Sequence, residues 1–122
     1  MEKDIVWVGT SKANLRKFPK DVKITMGYAL DVAQNGGKAE TAKPLTNVVK
    51  GALIMEIVDD HDSDTYRTVY TAKLKKRLYV LHAFKKKSTK GKSTPKHILD
   101  LIRERYKEAQ AIDKALSKDE PK

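Results

Sequence analysis

Three residues able to hold a phosphate or move a proton lie on apolar, strand-like segments of the chain. Glu56, Arg67 and His82 occupy successive segments, and the basic run Lys85–Lys87 follows the last of them. An arginine can grip two phosphate oxygens at once, and a histidine can exchange a proton near neutral pH. A ribonuclease that uses its substrate's own 2′-hydroxyl needs an acid, a base and fixed cations, but no metal. These residue types therefore suit phosphodiester cleavage.

Two predicted hairpins decide whether the three residues meet. Apolar and β-branched runs predict consecutive antiparallel strands over residues 52–58, 65–72 and 78–84. If the first hairpin is centred near His61 and Asp62, Glu56 lies opposite Arg67. If the second hairpin turns at residues 74–75, Arg67 also lies opposite His82. The three side chains would then form one polar row across the sheet, with the lysines at its end.

Successive side chains along each of these strands point to opposite faces of the sheet. The face expected to be covered by helices carries Leu53, Met55, Ile57, Tyr66, Thr68, Tyr70, Tyr79, Leu81 and Ala83. The opposite face carries Ile54, Glu56, Val58, Arg67, Val69, Leu78, Val80, His82 and Phe84. The polar row is therefore expected on the face away from the core.

The rest of the chain predicts elements around this sheet. They are a strand at Ile5–Val8, a helix capped by Thr10 or Ser11 and ending at Phe18, a second helix from Pro19 to Gly36, a polar loop at Lys38–Lys50 and a long helix beginning at Thr94 and Pro95. We therefore expect an α+β fold: a small antiparallel sheet with an N-terminal helical hairpin and a C-terminal helix, in the order β-α-α-β-β-β-α. We expect the strand at Ile5–Val8 to join the later strands in one sheet, because a lone strand leaves its backbone polar groups without partners. Residues 1–116 should form one domain, and residues 117–122 should be a frayed tail.

Composition narrows the possible partners and compartments. The 122 residues carry a net charge of +10, which suits a polyanion such as RNA or DNA, or an acidic protein. Cysteine is absent, which is compatible with a reducing cytoplasm and excludes disulfides and thiolate metal sites. We found neither a secretory signal nor a membrane-length apolar run, so we expect a cytoplasmic protein without a membrane partner. No metal-ligand spacing or glycine-rich phosphate loop is present, so no cofactor is expected.

Each candidate residue also has a structural interpretation. Arg67 opposite Glu56 can be an ion pair that only fixes strand register. His82 can be a packed core histidine, and the lysine run can be a solvated loop. Tyrosines on the strands can stack on bases, although core packing is the more conservative assignment.

Several sequence motifs, taken together, resemble the RelE/ParE toxin superfamily, and most closely its HigB-like, phage-associated branch. They are KPL at 43–45, KGALIMEI at 50–57, YRTVY at 66–70, LYVLHAFKKKS at 78–88, and TP at 94–95 ahead of a helix bearing Arg105. The resemblance implies a RelE-like sheet flanked by helices. It also implies the toxin of a type II toxin–antitoxin pair, which cuts messenger RNA in the ribosomal A site without a metal until an antitoxin blocks it.

The resemblance also implies roles for particular residues. The family's phosphate and transition-state contacts correspond to Arg67 and Lys85–Lys87, and His82 matches a histidine frequent in this branch. RelE-type nucleases carry lysines on the preceding strand, whereas this chain has Met55 and Glu56 there. Glu56 is therefore open to three roles: general base, orienting group for Arg67, or structural residue.

The resulting prediction is a ribosome-dependent endoribonuclease. Its candidate catalytic residues are Arg67, His82, Lys85, Lys86 and Glu56, and its candidate RNA-binding residues are Lys43, Lys87, Lys90 and Lys92. The expected partners are the ribosome, messenger RNA and a helix-turn-helix antitoxin in a hetero-oligomeric complex. Two alternatives stay open: a ParE-like inhibitor of DNA gyrase that does not cleave RNA, and a basic nucleic-acid-binding module without activity.

Overall fold

The structure is a computed structural model that describes residues 2–74, 77–87 and 94–118, apart from the side chain of Lys87. Its elements are β1 (Asp4–Trp7), α1 (Ser11–Arg16), α2 (Lys20–Gln34), β2 (Ala42–Pro44), β3 (Met55–His61), β4 (Asp64–Thr71), β5 (Arg77–Lys87) and α3 (Lys96–Lys118). The predicted α+β class, helical hairpin and C-terminal helix are confirmed. The predicted loop 38–50 contains one additional short strand, β2.

The strands form a single five-stranded sheet in the order β1-β5-β4-β3-β2. β1 runs parallel to β5, and the remaining neighbours are antiparallel. A lone strand would leave its backbone polar groups without partners, which is why β1 was expected to join the later strands. Its pairing with β5 confirms that expectation.

The hairpin between β3 and β4 turns tightly at Asp62 and Ser63. Both residues have positive φ, at 47° and 69°, as a two-residue turn matched to the twist of the strands requires. His61 therefore pairs with Asp64, and Asp59 and Asp60, which lie between the predicted strands, extend β3. The predicted hairpin centre was one residue too early, which displaces every predicted pair by two residues.

The observed register corrects the predicted polar row. Glu56 does not lie opposite Arg67, and Arg67 does not lie opposite His82. Across β3, β4 and β5 the aligned rows are Glu56–Val69–His82 and Val58–Arg67–Phe84. Because a shift of two residues preserves the face, Glu56, Arg67 and His82 still share one side of the sheet, with Arg67 diagonal to the other two.

A β-bulge in β5 changes the predicted division between the faces. Val69 pairs with His82 and Tyr70 pairs with Val80, so Leu81 is an extra residue on β5. One core cluster lies under α2 and includes Met55, Ile57, Tyr66, Tyr70, Leu78, Val80 and Ala83. The other lies under α3 and includes Ile54, Val69, Tyr79 and Leu81. The predicted faces were therefore wrong for residues 78–81, and both faces of the sheet are covered by helices.

The C-terminal helix is held on its face by apolar and polar contacts. Ile102 and Ala109 are fully buried, and the Tyr79 hydroxyl donates a buried 2.8 Å hydrogen bond to Asp113. α3 continues through Lys118, so residues 117–118 of the predicted tail are helical, while residues 119–122 lie outside the described part of the chain. Among the described residues, no helix has the length and apolar character to cross a bilayer.

Candidate active site

Glu56 is the centre of a small cluster of charges on the α3-facing side of the sheet. Its side chain is buried, with 3% of the residue exposed. Arg67 Nη1 donates a 3.0 Å hydrogen bond to Glu56 Oε2 across the β3–β4 diagonal. Lys43 pairs with Glu56 because β2 adds to the edge of β3, and Lys43 Nζ lies 3.8 Å from Oε1. The carboxylate therefore contacts two cations from neighbouring strands.

Arg67 carries a buried donor in addition to the group that binds Glu56. The side chain is 12% exposed, and its Nε has no hydrogen-bond partner among the described residues. A buried N–H without an acceptor costs free energy, and an anionic oxygen would remove that cost. Guanidinium groups bind phosphate through parallel N–H donors. Arg67 therefore has the chemistry of a phosphate-binding residue that one carboxylate holds in place.

Lys86 lies on the same face as Arg67, at the end of β5. Lys86 pairs with Thr65 on β4. It comes two residues after Phe84, the partner of Arg67, so all three side chains point to the same face. Burial lowers the pKa of the Lys86 ammonium, the charge of Arg67 lowers it further, and the Glu56 carboxylate opposes the change. An ammonium with a lowered pKa gives up its proton more readily than an ordinary lysine. Lys86 is therefore a candidate for proton transfer beside Arg67.

Lys85 faces the other side of the sheet. It pairs with Tyr66, whose ring packs edge-on against Phe18 beneath the α1–α2 corner, with ring centroids 4.9 Å apart. Its Nζ lies 3.7 Å from an Asp64 carboxylate oxygen. Neighbouring residues on a strand point to opposite faces, so the structure does not bring Lys85 together with Arg67.

His82 shares the face of Arg67 but is closely packed. It is 6% exposed and stacks on Phe84, with ring centroids 5.3 Å apart and planes 17° from parallel. Its Nδ1 has no hydrogen-bond partner within the described part of the chain. Burial, followed by the nearby charge of Arg105, lowers the pKa of His82 from 6.5 to about 4. The imidazole is therefore neutral near pH 7.

Arg105 of α3 supports the bulge beside His82 and was absent from the predicted site. Its Nη1 donates to the carbonyl oxygens of Leu81, at 3.0 Å, and Val8, at 3.4 Å. At Gly9 the backbone has φ 56°, and an added Cβ would lie 2.5 Å from the Arg105 Cζ. Gly9 therefore gives the guanidinium room to reach both carbonyls. The sequence signal was an arginine on the apolar face of the predicted C-terminal helix.

The remaining predicted RNA-binding residues are only partly described. The Lys87 backbone pairs with Asp64 at the end of β5. Lys90 and Lys92 lie outside the described residues. In the described cluster, Lys43, Arg67 and Lys86 contribute three positive charges and Glu56 one negative charge, which leaves a net charge of +2. This face of the sheet therefore attracts anions.

The fold and the charge cluster define a small RelE-like α+β protein with an anion-attracting sheet face. Residues 13–107 match the model of the family described as Phage derived protein Gp49-like (DUF891). The chain therefore belongs to the Gp49-like family, which is a RelE/ParE-like toxin-type family. That family is consistent with the toxin of a toxin–antitoxin pair and implies an antitoxin partner. No curated protein and no solved structure matched the chain.

Proposed function

We propose that the chain is a HigB-like toxin that cleaves messenger RNA on the ribosome in the cytoplasm and thereby inhibits translation. The observation that carries this proposal is the arrangement of Arg67. Its guanidinium is hydrogen-bonded to Glu56 at 3.0 Å, its buried Nε has no partner among the residues that the structure describes, and Lys86 lies on the same face. The Gp49-like family supports the toxin class. The net charge of +10 supports a polyanionic substrate.

The proposed reaction is attack by a ribose 2′-hydroxyl on the adjacent phosphorus. The bond from the 2′-oxygen to phosphorus forms, and the bond from phosphorus to the 5′-oxygen breaks. Arg67 binds the non-bridging oxygens, where negative charge accumulates in the transition state. Lys86 gives its proton to the departing 5′-oxygen, and the proton of the 2′-hydroxyl passes to water. The products are a 2′,3′-cyclic phosphate and a 5′-hydroxyl end.

Glu56 and His82 are proposed to support the site without contacting the phosphate. Arg67 binds Oε2 of Glu56 and Lys43 lies beside Oε1, so Glu56 acts as a positioning residue for the guanidinium. His82 is buried and stacked on Phe84, which favours the packing role that the sequence left open. Loss of His82 should therefore affect stability more than the cleavage step.

The other lysines are proposed to bind the RNA backbone. Lys43 lies at the β2 edge of the charge cluster, and Lys85 projects from the opposite face at the same end of β5. Lys87, Lys90 and Lys92 are proposed as further contacts to the RNA backbone. Contacts of this type weaken steeply with added salt. An acidic segment of a helix-turn-helix antitoxin would compete for them in a hetero-oligomeric complex.

The test uses a translating extract in which the ends of a reporter message are mapped. Wild-type protein should produce new 5′-hydroxyl ends within the reading frame. Arg67→Ala should abolish those ends, while Arg16→Ala, which removes an exposed arginine from α1, should leave them unchanged. Circular dichroism must show that the Arg67→Ala protein is folded. If it is not, the Arg67→Lys variant, which keeps the charge but loses the fork of donors, replaces it.

Several results would contradict the proposal. Intact messages in arrested extracts would refute cleavage, and loss of supercoiling on addition to DNA gyrase would instead establish the ParE-like alternative. RNA binding without cleavage and without growth arrest would establish a binding module. Toxicity that survives in a folded Arg67→Ala protein would refute the role assigned to Arg67.

A further inference from the structure

The outer side of α2 carries an apolar surface that nothing in the described structure covers. Ile24 is 61% exposed and Tyr28 is 66% exposed, although the opposite side of the helix is packed into the core. Gly27 lies between them in the middle of the helix, and a Cβ added there would meet nothing within 4 Å. Glycine inside a helix costs about 1 kcal/mol relative to alanine. The fold itself therefore gives no reason for this glycine.

Four exposed residues form a straight line along this side of α2, which we call the outer stripe: Lys20, Ile24, Gly27 and Asp31. Their spacing of four, three and four residues places them one above another on a helix. A cation lies at one end, a carboxylate at the other, and an apolar side chain and a glycine between them. This order is self-complementary when two copies of the stripe face each other in opposite directions.

We propose that two copies of this chain associate through an antiparallel pairing of their α2 helices. Lys20 of each copy then lies opposite Asp31 of the other, so the dimer contains this ion pair twice. Ile24 of each copy packs into the gap at Gly27 of the other, where a larger side chain would keep the helices apart. A two-fold interface requires such a self-complementary surface, and the outer stripe meets that requirement.

The dimer would leave the charge cluster open. α2 packs on the sheet face that carries Met55 and Tyr70, whereas Arg67 and Lys86 lie on the face of α3. The dimer proposal is therefore independent of the proposed RNA cleavage. Variants of the outer stripe change association without altering a residue of the cluster.

The test is sedimentation equilibrium of the wild-type chain and of variants with reversed charges. It is done at physiological ionic strength, because two chains of net charge +10 repel each other in low salt. Wild type should be a dimer at the higher protein concentrations of the sedimentation series. Lys20→Asp alone, or Asp31→Lys alone, should raise the dissociation constant about tenfold or more, since each dimer then carries a like-charge pair twice. Lys114→Asp changes an exposed residue of α3 and alters the net charge as Lys20→Asp does, so it is the matched control for that variant and should leave the dissociation constant unaltered.

Mixing the two single variants gives the decisive measurement. In a mixed dimer each reversed charge meets its opposite, so heterodimers should form with a dissociation constant near that of wild type. Gly27→Leu should give a monomer that melts at the same temperature as wild type or higher, because the space is open and the helix propensity improves. A monomeric wild type, a dimer insensitive to Lys20→Asp, or a mixture that stays monomeric would overturn the proposal.

Discussion

Replacing His82 by phenylalanine should remove an acid-sensitive step in the stability of the protein. The folded state holds the imidazole with its pKa lowered from 6.5 to about 4, whereas the unfolded chain titrates it normally. Between these two values the unfolded state binds more protons than the folded state, so stability falls as the pH falls. From pH 7.5 to pH 4.5 the loss from this group is about 2.5 kcal/mol.

The measurement is urea denaturation of wild type and His82→Phe at several pH values across this window. Phenylalanine keeps the stacking on Phe84 and removes the buried Nδ1, so the variant should be at least as stable as wild type at pH 7.5. The stability difference between the proteins should then grow in favour of the variant as the pH falls. His97→Phe changes an exposed histidine and should not produce this growth.

Parallel stability curves for wild type and His82→Phe would refute the reasoning. So would an NMR titration that finds the His82 imidazole near its ordinary pKa, since the packing under α3 would then not exclude solvent. If the His82→Phe variant keeps its stability but loses all RNA cleavage, His82 must be regarded as a catalytic residue.

Three further variants test other parts of the structure by chemical denaturation. Arg67→Ala should destabilise the protein by about 3 kcal/mol because the buried Glu56 loses its hydrogen-bonded partner, and the double variant Glu56→Gln/Arg67→Met should recover much of that loss. Equal losses of stability in the single and the double variant would contradict the ion pair between Glu56 and Arg67. Gly9→Ala should lower the free energy of unfolding by about 1–2 kcal/mol because φ is 56° there. An unchanged denaturation midpoint would show that alanine is not strained at this position. Tyr79→Phe should cost about 1–3 kcal/mol by leaving the buried Asp113 carboxylate without its donor, whereas a neutral result would show that water replaces it.

Local patterns in the sequence predicted most of the elements. Helices end where Pro19 and the glycines after Gln34 interrupt the apolar period, and the strands follow β-branched and aromatic runs. The tyrosines were assigned to the core, and Tyr66, Tyr70 and Tyr79 are all buried, although Tyr79 lies under α3 and not on the predicted face. β2 was missed because three residues including a proline carry no strand pattern of their own. It exists because the edge of β3 offers backbone partners.

The sequence predicted that Glu56, Arg67 and His82 share one face of the sheet, as observed, but predicted the wrong pairs across it. Their part in a reaction stays a prediction. Alternation along a strand placed Glu56 and Arg67 on one face, and a register error of two residues left that result unchanged. The same alternation separates Lys85 from Lys86, and applying it past Phe84 would have removed Lys85 from the cluster. Arg105 stands out in the sequence as an arginine on the apolar face of a helix, but its contacts with Val8 and Leu81 could not be predicted because they join residues far apart in the chain.

The sequence by itself determined the fold class, the basic charge and the residue types at the candidate site, because these depend on composition and on local periodicity. The tertiary structure decided the diagonal contact of Arg67 with Glu56, the bulge at Leu81 and the burial of His82. Each of these depends on positive φ at a turn or on packing between distant segments. Such features arise only when the whole chain is folded, because a single residue of register or a single bulge redirects side chains without changing any local pattern.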